Sequence, residues 1–158
     1  MNNVLNRTTS MKLVIDASTL IAAGSGHAQA HALVRALRLN TFEAPASVPL
    51  LLYCEAAIMA ASPKGAAGQG PAATRAFARN LAALCQPVHL NALWRPQCRD
   101  PVDDLLLATA HAADAQFIVS LRDATRMTAQ ASRLGVHVIT PEQALQALQG
   151  NLQLEQLA

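Results

Sequence analysis

The chain has 158 residues, about the size of one domain, and a domain of this size can bury a substantial core. Apolar residues make up 52% and charged residues 14%, which excludes disorder as the dominant state. No apolar run is long enough for a signal peptide or a membrane span, and the three cysteines form no CxxC pair. We therefore expect one soluble, cytoplasmic domain with no disulfide scaffold, no cysteine-held zinc and no membrane association.

Short apolar runs alternate with longer stretches of helical character along the chain. The apolar runs predict strands at residues 12–16, 41–44, 88–90, 116–120 and 136–139. Helical spacing and alanine-rich stretches predict helices at residues 19–23, 27–39, 47–60, 72–85, 102–113, 124–134 and from 141 onward. Residues 62–71, with three glycines and two prolines, read as a loop. This alternation predicts an α/β fold with a parallel sheet and helices on both faces.

Two of the helix starts carry capping signals. Asp100 precedes Pro101, which places an acceptor at the N-cap and proline at the first helical position. Thr140, Pro141 and Gln143 have the same form, and Gln143 completes a capping box. The segment 11–148 is expected to form the domain, between short terminal segments 1–10 and 149–158.

Asp16 follows the first predicted strand directly. Ligands gather at the carboxyl ends of the strands in open parallel sheets, so Asp16 is a candidate site residue. An equally good interpretation is that Asp16 caps the next helix. The residues alone leave both interpretations open.

Two further acids lie within apolar helices. Asp104 lies in the first turn of the helix that contains Leu105–Leu107. A carboxylate among such apolar residues needs a hydrogen-bond donor, a positive charge or a metal ion beside it. Interaction with the helix dipole is its alternative role, although Asp100 and Asp103 already supply that charge. Glu55 lies in another apolar helix, where a single glutamate is most often on the solvent face. Carboxylates of this kind suit Mg²⁺ or Mn²⁺, which can activate water against a phosphodiester.

Several segments together resemble the PIN-domain nucleases, and in particular the VapC-like toxin components of toxin–antitoxin systems. The similar segments, in chain order, are residues 11–21, 47–55, 98–110, 117–120 and 138–145. The most specific of them is Cys98-Arg99-Asp100-Pro101-Val102-Asp103-Asp104. The resemblance covers residues 11–148 and implies a three-layer α/β/α sandwich with a central, mostly parallel sheet.

The resemblance also implies an activity and a set of site residues. It implies a ribonuclease that uses Mg²⁺ or Mn²⁺ to cleave single-stranded RNA, a cognate antitoxin and a homodimer. Asp16 and Asp104 would hold the metal, and Glu55 would hold it or orient the attacking water. Ser18 would support the first aspartate, with Asp100 as a further supporting or RNA-contacting residue.

The sequence departs from the family pattern after the fourth predicted strand. The family has a Gly-Asp-x-Asp run there, whereas this chain has Leu121-Arg122-Asp123-Ala124. Asp123 reaches the site only if the turn is one residue longer. Otherwise Arg122 places a guanidinium against Asp16 and Asp104, in the space of a metal. The alternative hypothesis is therefore a catalytically weakened PIN module that binds RNA or protein.

Other function classes fit the sequence less well. A phosphoacceptor receiver domain needs an acidic pair after the first strand and a late lysine, and neither is present. Gly24-x-Gly26 lacks the third glycine of a dinucleotide site and follows helical residues. Arg35, Arg38 and the arginines at 75 and 79 either line an RNA groove or form an ordinary solvated face.

Overall fold

The structure is a computed structural model that describes residues 10–61 and 70–152. Within those residues the helices are α1 (Ala17–Gly24), α2 (Ala28–Arg38), α3 (Val48–Ala61), α4 (Gly70–Leu84), α5 (Pro101–Ala112), α6 (Thr125–Arg133) and α7 (Pro141–Leu148). The strands are β1 (Leu13–Ile15), β2 (Pro45–Ser47), β3 (Gln86–Val88), β4 (Phe117–Val119) and β5 (His137–Ile139). Most of the predicted 62–71 loop and both chain ends, 1–9 and 153–158, lie outside the described residues.

All strand pairs are parallel. One sheet has the order β1-β4-β5, and β2 pairs with β3 in a second, two-stranded sheet. A single parallel bridge between Lys12 and Glu43 joins β1 to the segment before β2. The strand order is therefore 3-2-1-4-5 across the molecule, with β1 near its centre. This confirms the predicted three-layer α/β/α sandwich with a central parallel sheet.

The core explains why the three-residue strands are stable. Leu13 and Val14 of β1 are fully buried, as are Ile118 and Val119 of β4. Strands that are covered on both faces read as continuous apolar runs, and this is why these two were predictable. Helix α5 packs against β1, β2 and β4 through the buried stripe of its apolar residues.

The second predicted strand was misplaced. The chain forms only a single bridge at Glu43, and β2 lies further on, at Pro45–Ser47. Proline was taken as the end of a strand, but it is tolerated as the first residue of one. The third strand likewise begins and ends two residues earlier than predicted. No helix among the described residues is both long and apolar enough to cross a bilayer.

Candidate functional site

The strand ends of β1 and β4 bring Asp16 and Arg122 together. Asp16 occupies the N-cap position of α1, but its side chain makes no capping bond and is fully buried. Its backbone N–H donates to the carbonyl of Val119, which fixes the end of β1 beside the end of β4. The Asp16 carboxylate therefore points into the region that follows β4.

One oxygen of Asp16 receives three side-chain hydrogen bonds. Asp16 Oδ2 accepts from Ser18 Oγ at 3.0 Å, from Ser120 Oγ at 2.8 Å and from Arg122 Nε at 2.8 Å. The two serines are themselves held, because Ser18 Oγ accepts from the N–H of Leu121 and Ser120 Oγ accepts from the N–H of Arg122. The other oxygen, Asp16 Oδ1, is buried and has no hydrogen-bond partner.

Arg122 connects three aspartates. Besides Asp16, its Nη2 donates to Asp103 Oδ1 at 2.7 Å, and its Nη1 lies 3.9 Å from Asp100 Oδ2. We call Asp16, Asp100, Asp103 and Arg122 the Arg122 cluster. Burial alone would lower the pKa of Arg122, but hydrogen bonds and charge from Asp16 and Asp103 outweigh it and raise that pKa. The guanidinium is therefore charged throughout the pH range in which the protein is folded.

Helix α5 presents Asp103, rather than Asp104, to this cluster. The residues three, four and seven positions after Asp103 are Leu106, Leu107 and Ala110, all fully buried, so Asp103 lies on the inward face. Asp100 begins the helix as predicted, and its Oδ1 accepts from the N–H of Val102 at 2.8 Å. Sequence reasoning had treated Asp103 as a dipole charge and missed this position.

The Asp104 carboxylate anchors the preceding loop. Its Oδ2 accepts from Trp94 Nε1 at 3.0 Å, and its Oδ1 accepts from the backbone N–H groups of Gln97 and Cys98. The Trp94 ring also packs on His111 of α5, with ring centroids 5.5 Å apart. The Asp104 carboxylate was expected to need a partner, and that partner is the Trp94–Cys98 loop. Asp103, and not Asp104, occupies the position beside Arg122.

Glu55 and Asp123, among the described residues, make no hydrogen bond or ion pair with the Arg122 cluster. Glu55 lines a mainly apolar cavity of about 100 Å³ between α3 and α4, which Arg79 also lines. Asp123 is exposed, and its Oδ1 accepts from the N–H of Thr125 at 3.0 Å in the turn before α6. That hydrogen bond, with a smaller effect from the Arg126 charge, lowers the pKa of Asp123. Its position is that of a residue that stabilises the start of a helix.

Tyr53 is a second residue that sequence reasoning missed. Burial raises the pKa of Tyr53, and the charge of Asp16 raises it further, whereas the Arg122 charge lowers it. Tyr53 lies on α3, two residues before Glu55. Both residues are half-buried, and the sequence gave no signal of how α3 is rotated, because Glu55 is the only charged residue of this helix.

The residues present do not fit a carboxylate-held divalent ion. The expected set of Asp16, Glu55 and Asp104 is not assembled, and no group of three or more potential ligands was found in residues 10–61 and 70–152. Asp16 Oδ2 faces hydrogen-bond donors, and the Arg122 guanidinium already supplies a positive charge beside it.

Comparison with known protein families gives a match to the PIN domain over residues 12–123. That segment begins just before β1 and ends one residue after Arg122, so it contains the whole Arg122 cluster. No curated protein and no solved structure matches the chain.

Proposed function

We propose, from the premise that this chain belongs to the PIN-domain family of nuclease-type domains, that it binds single-stranded RNA without efficiently cleaving it. PIN nucleases act on nucleic acid, and this sets the class of ligand. The proposal takes the Arg122 cluster as the former catalytic centre of the domain. In this proposal Arg122 prevents cleavage, because it occupies the space of a metal ion, and leaves RNA binding possible.

The observation that carries the proposal is the position of Arg122 between Asp16 and Asp103. Hydrogen bonds of 2.8 and 2.7 Å join its guanidinium to the two carboxylates. Charge-assisted bonds of this length are among the stronger interactions in proteins, and Asp16 is fully buried. To bind these carboxylates, a divalent ion would have to displace the Arg122 guanidinium, which is part of the chain and already partly desolvated.

Two more arginines support a nucleic-acid ligand. Arg99 and Arg126 are exposed and line a cleft beside Asp100 and Asp103. Arginine suits phosphate because its planar guanidinium donates two parallel hydrogen bonds. The same edge of the molecule therefore offers positive charge for an RNA backbone while the aspartates remain paired with Arg122.

The test is to measure binding and cleavage on the same samples. Fluorescently labelled single-stranded RNA is titrated with the protein in EDTA and again in Mg²⁺ or Mn²⁺, and each sample is then run on a denaturing gel. The proposal predicts that the anisotropy rises to the same extent in EDTA as in Mg²⁺ or Mn²⁺. It also predicts that the RNA remains intact in every lane of the gel. Absence of binding by folded protein, or metal-dependent cleavage, would contradict it.

The second candidate is the endoribonuclease toxin of a toxin–antitoxin pair, dependent on Mg²⁺ or Mn²⁺ and working in the cytoplasm. The observation that favours it is Asp16 Oδ1, a buried carboxylate oxygen with no partner. An acceptor in this state is unfavourable unless something occupies the space beside it. Metal-dependent cleavage by the wild type that is lost in Asp16→Asn would establish this candidate over the first.

This second candidate function includes a cognate antitoxin and a homodimer. The exposed apolar residues of α3 support a protein partner. Glu55 is the only charged residue of this helix, and its apolar residues Val48 and Leu52 are 65% and 62% exposed. Both lie on one face because they are four residues apart. Light scattering of the wild type and of Leu52→Glu tests the dimer: a mass that falls from two chains to one supports it, and a wild-type monomer contradicts it.

A further inference from the structure

A cleft lined mostly by polar and charged residues lies beside the Arg122 cluster, between the end of the Trp94–Cys98 loop and α6. It has a volume of about 610 Å³, which is enough for one nucleotide. Asp100 and Asp103 form the side that it shares with the cluster. Gln97 and Arg99 line it from the loop, and Arg126 and Gln130 line it from α6.

Gln130 is a residue of this cleft whose side-chain oxygen has no hydrogen-bond partner. Its Oε1 atom is buried and has no partner in the structure, although the residue as a whole is only half-buried. A buried acceptor without a donor is unfavourable, and native proteins rarely keep one without a ligand or water. An N–H or O–H donor that enters the cleft beside Gln130 would satisfy this acceptor.

The loop side of the cleft is held in place before any ligand arrives. Asp104 accepts hydrogen bonds from the backbone N–H groups of Gln97 and Cys98, directly before Arg99. The Gln97 side chain is also fixed, because its Nε2 donates to the carbonyl of Arg95 at 2.8 Å. A wall that is ordered in advance lowers the entropy lost on binding. Asp104 is thus a positioning residue for this cleft.

The charged residues of the cleft are distributed unevenly between its buried side and its solvent side. Asp103 is neutralised by Arg122 at 2.7 Å, so the inner side repels a phosphate less than two free carboxylates would. Arg99 and Arg126 are exposed and lie at the solvent side, where a phosphate would remain hydrated. The less exposed lining residues Asp100, Asp103 and Gln130 carry hydrogen-bond acceptors of the cleft.

We propose that this cleft holds one nucleotide of single-stranded RNA, with its phosphate on Arg99 and Arg126 and its base against Gln130. These acceptors favour a base with an exocyclic amino group, which offers two N–H donors; the one base donor of uracil, N3–H, lies between two carbonyl oxygens that a neighbouring carboxylate repels. The proposal rests on the proposed RNA binding and adds a base preference and a location. It assigns specificity to Gln130 and affinity to the two arginines.

The test compares labelled decamers of adenosine, cytidine and uridine by fluorescence anisotropy. The wild type is expected to bind the adenosine and cytidine decamers about fivefold or more tightly than the uridine decamer. Gln130→Met keeps the volume and removes the amide, so it should abolish that preference and leave the uridine affinity unchanged. Its thermal midpoint should equal or exceed that of the wild type, because the unmet acceptor is gone.

Arg126→Gln provides the second variant, and Arg133→Gln and Gln146→Met provide the controls. Arg126→Gln should weaken the binding of all three decamers. It should also lower the salt dependence of the binding affinity by an amount that corresponds to about one phosphate contact. Arg133 lies on the same helix and Gln146 on α7, both exposed and neither lining the cleft, so those variants should match the wild type.

Each outcome bears on the proposal. If the wild type binds all decamers equally, or Gln130→Met retains the wild-type preference, the base-recognition site is wrong and RNA binding stands. If Arg126→Gln behaves like Arg133→Gln, the phosphate position is wrong. If the folded wild type binds no decamer, this proposal and the proposed function both fail.

Discussion

Arg122 Nε lies 2.8 Å from Asp16 Oδ2, and this bond joins two residues that are 106 positions apart in the chain. It links the end of β1 to the turn after β4, where the strands of the central sheet terminate. Asp16 is fully buried, so Arg122 is the cation that compensates its charge. The same guanidinium closes the space between Asp16 and α5 by pairing with Asp103.

Arg122→Ala should destabilise the fold. Removing one partner of a buried ion pair typically costs 3–5 kcal/mol, and because Arg122 is one-third exposed we expect about 2–3 kcal/mol. The free energy of unfolding from urea denaturation measures this. Arg75→Ala is the control, since Arg75 is exposed on α4 and should change stability by less than about 0.5 kcal/mol. Equal stability of the two variants would show that the Asp16 pair contributes nothing.

Asp104→Ala should release Trp94, the single tryptophan of the chain. The variant loses the hydrogen bond from Trp94 Nε1 and two backbone hydrogen bonds, so its fluorescence should shift to the red. We expect a loss of about 1–3 kcal/mol of stability for the unmet donors. Asp103→Ala is the matched variant on the same helix and should leave the emission unchanged. A red shift in Asp103→Ala alone would reverse the roles assigned to these two residues.

Stability should fall at alkaline pH because of Cys54. Burial raises the pKa of Cys54 to about 12 from its ordinary value of 9.0, and the charge of Asp16 adds to this. A raised folded-state pKa gives stability that is fully present below pH 9.0 and is lost as pH rises toward 12. Urea midpoints measured across this interval should decline less in Cys54→Ala than in the wild type. Parallel declines would exclude Cys54 as the source.

Asp123→Ala should lower the thermal midpoint without changing RNA affinity. The side chain accepts from the N–H of Thr125, and that bond lowers the pKa of Asp123. A lowered pKa means that the contribution is present near neutral pH and is lost as pH falls through the folded-state value. Thermal scans in acid and at neutral pH check the sign. A loss of RNA binding would instead place Asp123 in the site.

The helix starts were the most predictable features, because their signals are local. Asp100 accepts from Val102, and Thr140 and Gln143 form the expected capping box. The buried strands β1 and β4 were equally clear, since they are continuous apolar runs. The start of β2 was missed because a proline there satisfies strand and turn patterns equally well.

The site was predictable only in part, because helix rotation is not encoded locally. The sequence left open whether Asp123 or Arg122 faces Asp16, and the structure pairs Arg122 with it. The choice between Asp103 and Asp104 depends on how α5 packs on β1 and β4, and adjacent helical positions differ by about 100° in direction. The rotation of α3 is harder still to predict, because Glu55 is the only charged residue from which to orient it.

The most direct test of the account is a Mn²⁺ titration of the wild type and of Arg122→Ala by isothermal calorimetry, with Arg122→Ala/Asp16→Asn as the control. If Arg122 holds the carboxylates in place of a metal, the wild type shows no saturable Mn²⁺ binding. Arg122→Ala should then bind Mn²⁺ and the double variant should lose it. Saturable binding of Mn²⁺ by the wild type, unchanged in Arg122→Ala, would contradict the account.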